Sequence, residues 1–199
     1  NLPIVLLTKG LAIVDNELTT LSDKIKKLLK KQGHEEINIS AIKGPCLAAG
    51  LANKMRTGTV IANPDIKEAQ FLKKIISTKY YSTEISNDLN GVELSGAIKN
   101  IYSMLIGASE GLSNSKVPLE IQSKYYLNTA ASLIHRSISE MVEFVSHYGG
   151  NSGTVYGLAG LGDLYVSAIG GRNSLMGKYL GQGNLYKEAK EKFMKNITV

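Results

Sequence analysis

Tyr80-Tyr-Ser-Thr-Glu-Ile-Ser-Asn-Asp-Leu-Asn90-Gly-Val-Glu-Leu-Ser-Gly-Ala-Ile-Lys-Asn100-Ile-Tyr-Ser-Met-Leu-Ile-Gly-Ala108 is where the chain changes character. Tyr80–Ile85 is β-rich and reads as a strand. Beyond Asn90, Leu94, Ala97, Ile98, Ile101, Leu105 and Ala108 recur at intervals of one, three and four, the spacing of one buried helix face. Strand-like and helix-like segments alternate before this stretch, and the pattern after it is helical. The chain therefore divides near residue 88 into an α/β part, 1–88, and an all-helical part, 89–199.

Upstream, strands and helices alternate. Pro3–Thr8 is an apolar strand candidate. Leu21–Lys31 is an amphipathic helix, with Thr19 or Thr20 as N-cap and Gly33 past its end. Ile37–Ile42 and Gly58–Ala62 are strands stopped by Gly44-Pro45 and Asn63-Pro64, and Ile66–Ile76 is a helix between strands. This order predicts an α/β layer with a mainly parallel sheet. Downstream, a second stripe runs through Leu127, Ala130, Ala131, Ile134, Ile138, Met141, Val142 and Val145, with Val117-Pro118 as the break before it. A glycine-rich stretch, 149–171, precedes a short helix near Asn173–Leu180, for which Asn173 is a candidate cap.

The bulk numbers exclude several classes. The 199 residues are 43% hydrophobic and 20% charged, as in ordinary folded proteins. No apolar run reaches the ~18 residues of a membrane span. The single cysteine, Cys46, rules out a disulfide framework within the chain and fits the cytoplasm. The net charge of +6 favours anionic ligands. The densest basic run, Lys24–Lys31, has the spacing of a solvated helix face, so nucleic acid is not expected. His34, His135 and His147 show no metal-ligand spacing. The chain opens on Asn1 and runs directly into an apolar strand, so it reads as starting inside a sheet, and both ends read as cut.

Four clusters combine charge or a small polar group with glycine. Thr8-Lys9-Gly10 follows a strand, where open α/β sheets bind ligands; taken alone, a surface lysine in a strand-to-helix loop is the favoured reading. Lys43-Gly44-Pro45-Cys46-Leu47-Ala48 is a tight turn with room for a ligand. In Glu93-Leu-Ser-Gly-Ala-Ile-Lys99-Asn100, Lys99 lies beside the apolar stripe, with Gly96 one turn before it. A lysine held against a packed surface can act as a base, but lysines often lay their stems over apolar surface and reach water, and alone that reading is favoured. Gly157-Leu-Ala-Gly-Leu-Gly-Asp163, Ser167 and Gly170-Gly171-Arg172-Asn173 hold more glycine than helix or strand formation asks for. An arginine after two glycines at a helix start suits a phosphate.

In this order, from Val5 to about Gly183, these clusters resemble the NAD(P)-dependent sn-glycerol-3-phosphate dehydrogenases. The resemblance implies part of a Rossmann-type dinucleotide domain followed by a helical substrate domain. It implies NAD or NADP as cofactor and a small phosphorylated substrate, glycerol 3-phosphate or dihydroxyacetone phosphate. A homodimer without a membrane span is the expected assembly. Lys99 is implied as the proton acceptor, with Lys9 and Asp163 as its catalytic neighbours. Lys9, Gly44, Cys46, Lys99, Asn100, Asp163, Ser167, Gly171, Arg172 and Asn173 are implied to line the substrate site, and Lys9, Ala48 and Arg172 to touch the cofactor. No metal is implied. The family's glycine-rich turn would precede Asn1. Cys46 stands where bacterial members carry Ser or Thr, Gly50 where they carry Glu, and Ala130 where Lys is common. Two rival readings are a related two-domain dehydrogenase for another small hydroxy compound and a non-catalytic fragment.

Overall fold

The computed structural model describes residues 3–34, 37–115 and 126–199. Val117-Pro118 lies outside them. The chain divides into two compact units, Asn1–Ile98 with Met141–Asp163, and Lys99–Glu140 with Leu164–Val199.

The first unit is built on a four-stranded sheet in the order β1 (Ile4–Leu6), β4 (Ile39–Lys43), β5 (Thr57–Ala62), β6 (Tyr81–Ser86). β1 pairs parallel with β4, and β5 with β6, but β4 and β5 run antiparallel, with Ala41 opposite Ala62. The sheet is therefore mixed rather than mainly parallel. Between β4 and β5 there is only the five-residue helix α2 (Ala48–Ala52), about 8 Å long and too short for a parallel crossover. β4 is buried along its whole length, so its residues face both layers. Ala41, Val60 and Ala62 pack with Leu89, Val92 and Ala159 on one side. On the other, Ile42 and Ile61 pack with Ala69 and Leu72 of α3 (Ile66–Ile76).

Helix starts follow the sequence. The Thr20 side chain accepts from Asp23 N–H at 3.3 Å and opens α1 (Leu21–Lys31), while Gly33 takes φ 88° past its end. Asp65 caps α3 through Lys67 N–H at 2.9 Å. Lys24, Lys27, Lys30 and Lys31 are exposed along α1, a solvated face. One element has no counterpart in the sequence reading. β2 (Leu11–Val14) and β3 (Glu17–Thr20) form an antiparallel hairpin. Its turn residues Asp15 and Asn16 have φ 55° and 64°, a primed turn that matches the strand twist.

The second unit takes in most of α4 (Leu89–Asn114) and the start of α5 (Leu127–His147), then α6 (Asp163–Gly170), α7 (Arg172–Gly181) and α8 (Tyr186–Phe193). Here the expected stripe on α4 needs correction. Leu94 and Ile98 are buried, but Ile101 is 68% and Leu105 50% exposed. The packing face of this half of the helix is Ser103, Gly107 and Gly111, spaced four apart. A Cβ at Gly107 would fall on the carbonyl of Ser174, and one at Gly111 on that of Lys178. In return, Cβ atoms at Gly177 and Gly181 would fall on the carbonyls of Met104 and Ala108. Two helices thus meet backbone to backbone, and the Glu110–Lys178 ion pair at 2.6 Å closes their flank. Among the described residues no helix is long and apolar enough to cross a membrane.

Gly177→Ala tests this packing, because two effects oppose each other. Helix propensity alone favours alanine by about 1 kcal/mol. Overpacking at a rigid carbonyl costs about 1–3 kcal/mol. Urea unfolding should show a net loss of stability, whereas Gly50→Ala in α2, with open space around its Cβ, should be neutral or stabilising. A stabilised Gly177→Ala would mean that the helices do not touch there.

Candidate active site

Within the first unit, two distant segments converge. Lys9 follows β1 and donates to Asp163 Oδ2 at 2.5 Å, with side chains 27% and 3% exposed. Asp163 reaches that place through a short π-helical turn, Leu158–Gly162, in which Gly162 N–H donates to Gly157 O at 3.2 Å. The turn is wedged against the 3₁₀ turn Ser152–Tyr156, because a Cβ at Gly160 would overlap the Val155 carbonyl. Asp88 anchors that 3₁₀ turn to the start of α4: one oxygen accepts Gly91 N–H at 2.9 Å, and the other accepts Asn151 N–H at 2.9 Å and Thr154 O–H at 2.5 Å. The glycine run therefore serves as packing that aims one carboxylate.

Gly44 follows β4 with φ 138°, and a Cβ there would stand 3.0 Å from Thr59 Cα, so the position is restricted to glycine twice over. Cys46 N–H donates to Gly44 O at 2.9 Å. Burial pushes the Cys46 thiol up, Lys9 pulls it down and Asp163 pushes it up again. It is therefore a poor nucleophile lying within the electrostatic reach of the Lys9–Asp163 pair. Ala48 opens α2 and is exposed. Lys43, to which the sequence reading gave no role, is 1% exposed and donates to Thr8 O at 2.6 Å and Leu6 O at 3.3 Å.

In the second unit Lys99 is 4% exposed and donates to the Ser167 hydroxyl. Asn100 follows it, partly buried. The Ser167 carbonyl accepts Gly171 N–H at 3.0 Å, and a Cβ at Gly171 would collide with that same carbonyl. Gly171 is the cap of α7, without a side-chain bond. Asn173 is thus not the cap but lies inside the first turn. Arg172 is exposed at the helix start, and among the described residues it has no hydrogen-bond or ion-pair partner. The Ser174 hydroxyl donates to Ala168 O at 2.5 Å and ties the ends of the two helices together.

The chain matches the family described as NAD-dependent glycerol-3-phosphate dehydrogenase C-terminus over residues 88–198. It is 35% identical over 188 residues to the NADP(+)-dependent glycerol-3-phosphate dehydrogenase of Archaeoglobus fulgidus, covering 94% of this chain and 53% of that protein. It is 32% identical over 183 residues to the glycerol-3-phosphate dehydrogenase [NAD(P)+] of Pseudomonas putida strain GB-1, covering 91% of this chain and 50% of the relative. A crystal structure of glycerol-3-phosphate dehydrogenase from Coxiella burnetii superposes with a TM-score of 0.81 at 30% identity, over 96% of this chain and 54% of that one. The chain belongs to the NAD-dependent glycerol-3-phosphate dehydrogenase family. It spans about half the length of these relatives.

Burial lowers the pKa of Lys43 from 10.5 to about 8; Glu93 acts to raise it, Lys9 to lower it and Asp163 to raise it. Between pH 8 and 10.5 the unfolded chain keeps this proton and the folded chain does not, so stability from this group rises with pH across that window. Below pH 8 both states hold the proton, and the whole burial cost is present. The change is worth about 3 kcal/mol in full. Lys43→Met keeps the stem and removes the charge. Its unfolding free energy relative to wild type should fall by up to about 3 kcal/mol from neutral pH to the alkaline end of the window. A difference independent of pH would mean that Lys43 does not titrate low.

Proposed function

We propose that residues 1–88 are the C-terminal part of a Rossmann-type dinucleotide-binding domain and residues 89–199 a helical substrate domain. On this reading the intact protein is an oxidoreductase interconverting sn-glycerol 3-phosphate and dihydroxyacetone phosphate with NAD or NADP. The observation that carries the reading is Lys99, a buried lysine on a long helix whose ammonium rests on the Ser167 hydroxyl. Both residues lie within 88–198, the stretch that matches the family.

In the oxidative direction Lys99, as the free amine, takes the proton from the substrate's secondary hydroxyl; in the reductive direction it returns that proton to the carbonyl oxygen. Ser167 orients the Lys99 nitrogen. Lys9 places positive charge toward the reacting oxygen, and Asp163 fixes Lys9 in one rotamer. Arg172 and Asn173 grip the phosphate at the start of α7, so that binding far from the reacting carbon sets its geometry. Gly44 and Cys46 are the proposed substrate contacts of the first unit, and Asn100 and Gly171 those of the second. The small, exposed Ala48 beyond the glycine turn fits close approach of a dinucleotide, with Lys9 and Arg172 as the charged groups toward it. When bound, the nicotinamide supplies the redox step as hydride acceptor or donor. A cytoplasmic homodimer is the proposed setting. The exposed Ile101 and Leu105 support self-association.

In the intact protein Lys99→Ala should lower kcat by at least about 10²-fold, the loss expected of a general acid–base group, with a smaller change in the substrate KM. Steady-state kinetics in both directions measures this. An unchanged kcat would remove Lys99 from the chemistry.

A further inference from the structure

A lysine at the buried end of a central strand is costly unless its ammonium finds acceptors. Lys43, the last residue of β4, finds two in the main chain, Thr8 O at 2.6 Å and Leu6 O at 3.3 Å. Both lie where β1 ends, and the Thr8 carbonyl shares its peptide group with the nitrogen of Lys9. The stem of Lys43 runs past Gly96 of α4, where a Cβ would stand 3.2 Å from Cδ and 3.3 Å from Cγ, so a side chain there would push the stem aside. The charged groups facing Lys43 are Glu93 from α4, Lys9 beyond β1, and Asp163 at the start of α6. Glu93 is buried as well. Its Oε2 accepts Ser22 N–H at 3.4 Å, and among the described residues its Oε1 has no hydrogen-bond partner. A half-satisfied carboxylate near a buried ammonium favours the protonated lysine.

We infer that Lys43 is a positioning residue: its ammonium pins the Leu6 and Thr8 carbonyls and so holds Lys9 in line for Asp163. The inference rests on the role proposed above for Lys9. Hydrogen bonds from a charged donor are roughly twice as strong as neutral ones, so deprotonation loosens the pin. Burial brings that loss down to about pH 8. Methionine or any other neutral side chain at position 43 offers no charged donor to the Thr8 carbonyl.

The Lys9 main-chain amide reports on the pin directly, because hydrogen bonding at the Thr8 carbonyl polarises the same peptide group. Followed by nitrogen-15 NMR, its resonance should move with a midpoint near pH 8 in the wild-type chain. In Lys43→Met it should sit near the wild-type alkaline position and stay there. In the intact protein kcat/KM for dihydroxyacetone phosphate should fall about tenfold through the same midpoint, the worth of one hydrogen bond to a charged group. Lys43→Met should be low and flat across that range. A wild-type Lys9 amide that does not move, or that moves equally in Lys43→Met, overturns the pin, and the first of these needs no variant to fold. A pin that titrates while kcat/KM stays level overturns the positioning role. A pinned Lys9 in a protein that turns over no dihydroxyacetone phosphate at any pH overturns the functional reading instead.

Discussion

A carboxylate withdrawn from water is costly unless its charge is compensated, and Asp163 has Lys9, at 2.5 Å and 154 residues away in the chain. Much of the first unit can be understood as what makes that meeting possible. β1 must end where Lys9 can reach in, and β4 lies beside it to deliver Lys43 to the same strand end. The π-helical turn must bring Asp163 round without a side chain at Gly160. Asp88 must hold the 3₁₀ turn that supports it. Removing one partner of such a pair leaves the other charged and poorly solvated, which makes the arrangement all-or-none.

The second unit solves a different problem with similar means. Lys99 of α4 meets Ser167 of α6, and beyond them α4 and α7 pack backbone to backbone, which glycines on both helices permit. Gly171 then lets the chain turn tightly over the Ser167 carbonyl, and this sets the start of α7 and leaves Arg172 exposed there. Glycine is thus used here for proximity more than for unusual backbone angles. Gly44 of the first unit needs both, and Gly33 and Gly183 take a positive φ in open space.

What could be read from the sequence follows from which forces are local. Caps are local, so Thr20 and the end at Gly33 are found where they stand. The motifs are local strings, so Lys9, Lys99, Asp163 and Ser167 could be singled out, but that Lys9 bonds to Asp163 and Lys99 to Ser167 is long-range and is seen only in the structure. The hairpin turn Asp15-Asn16 is local too, a two-residue polar turn after the short apolar run Leu11–Val14. Three features were not readable. The antiparallel β4–β5 pairing depends on how far a short helix can carry the chain. The exposure of Ile101 and Leu105 comes from a packing face made of serine and glycine, which a count of apolar residues passes over. The burial of Lys43 depends on carbonyls at the end of another strand, and only Gly96, the small residue that makes room for its stem, hinted at it.

On the proposed reading, Lys99, Lys9 and the exposed Arg172 act on a small hydroxy compound bearing a phosphate. The arginine is the part most specific to that substrate, because its planar fork donates two parallel hydrogen bonds that lysine cannot reproduce. The most direct measurement is kinetics of Arg172→Lys in the intact protein on dihydroxyacetone phosphate and on unphosphorylated dihydroxyacetone, with a melting curve for the variant. The account predicts a large loss on the phosphorylated substrate, hardly any on the other, and an unchanged melting temperature. Equal losses on both substrates, together with a lowered melting temperature, would contradict it and make Arg172 a structural tie.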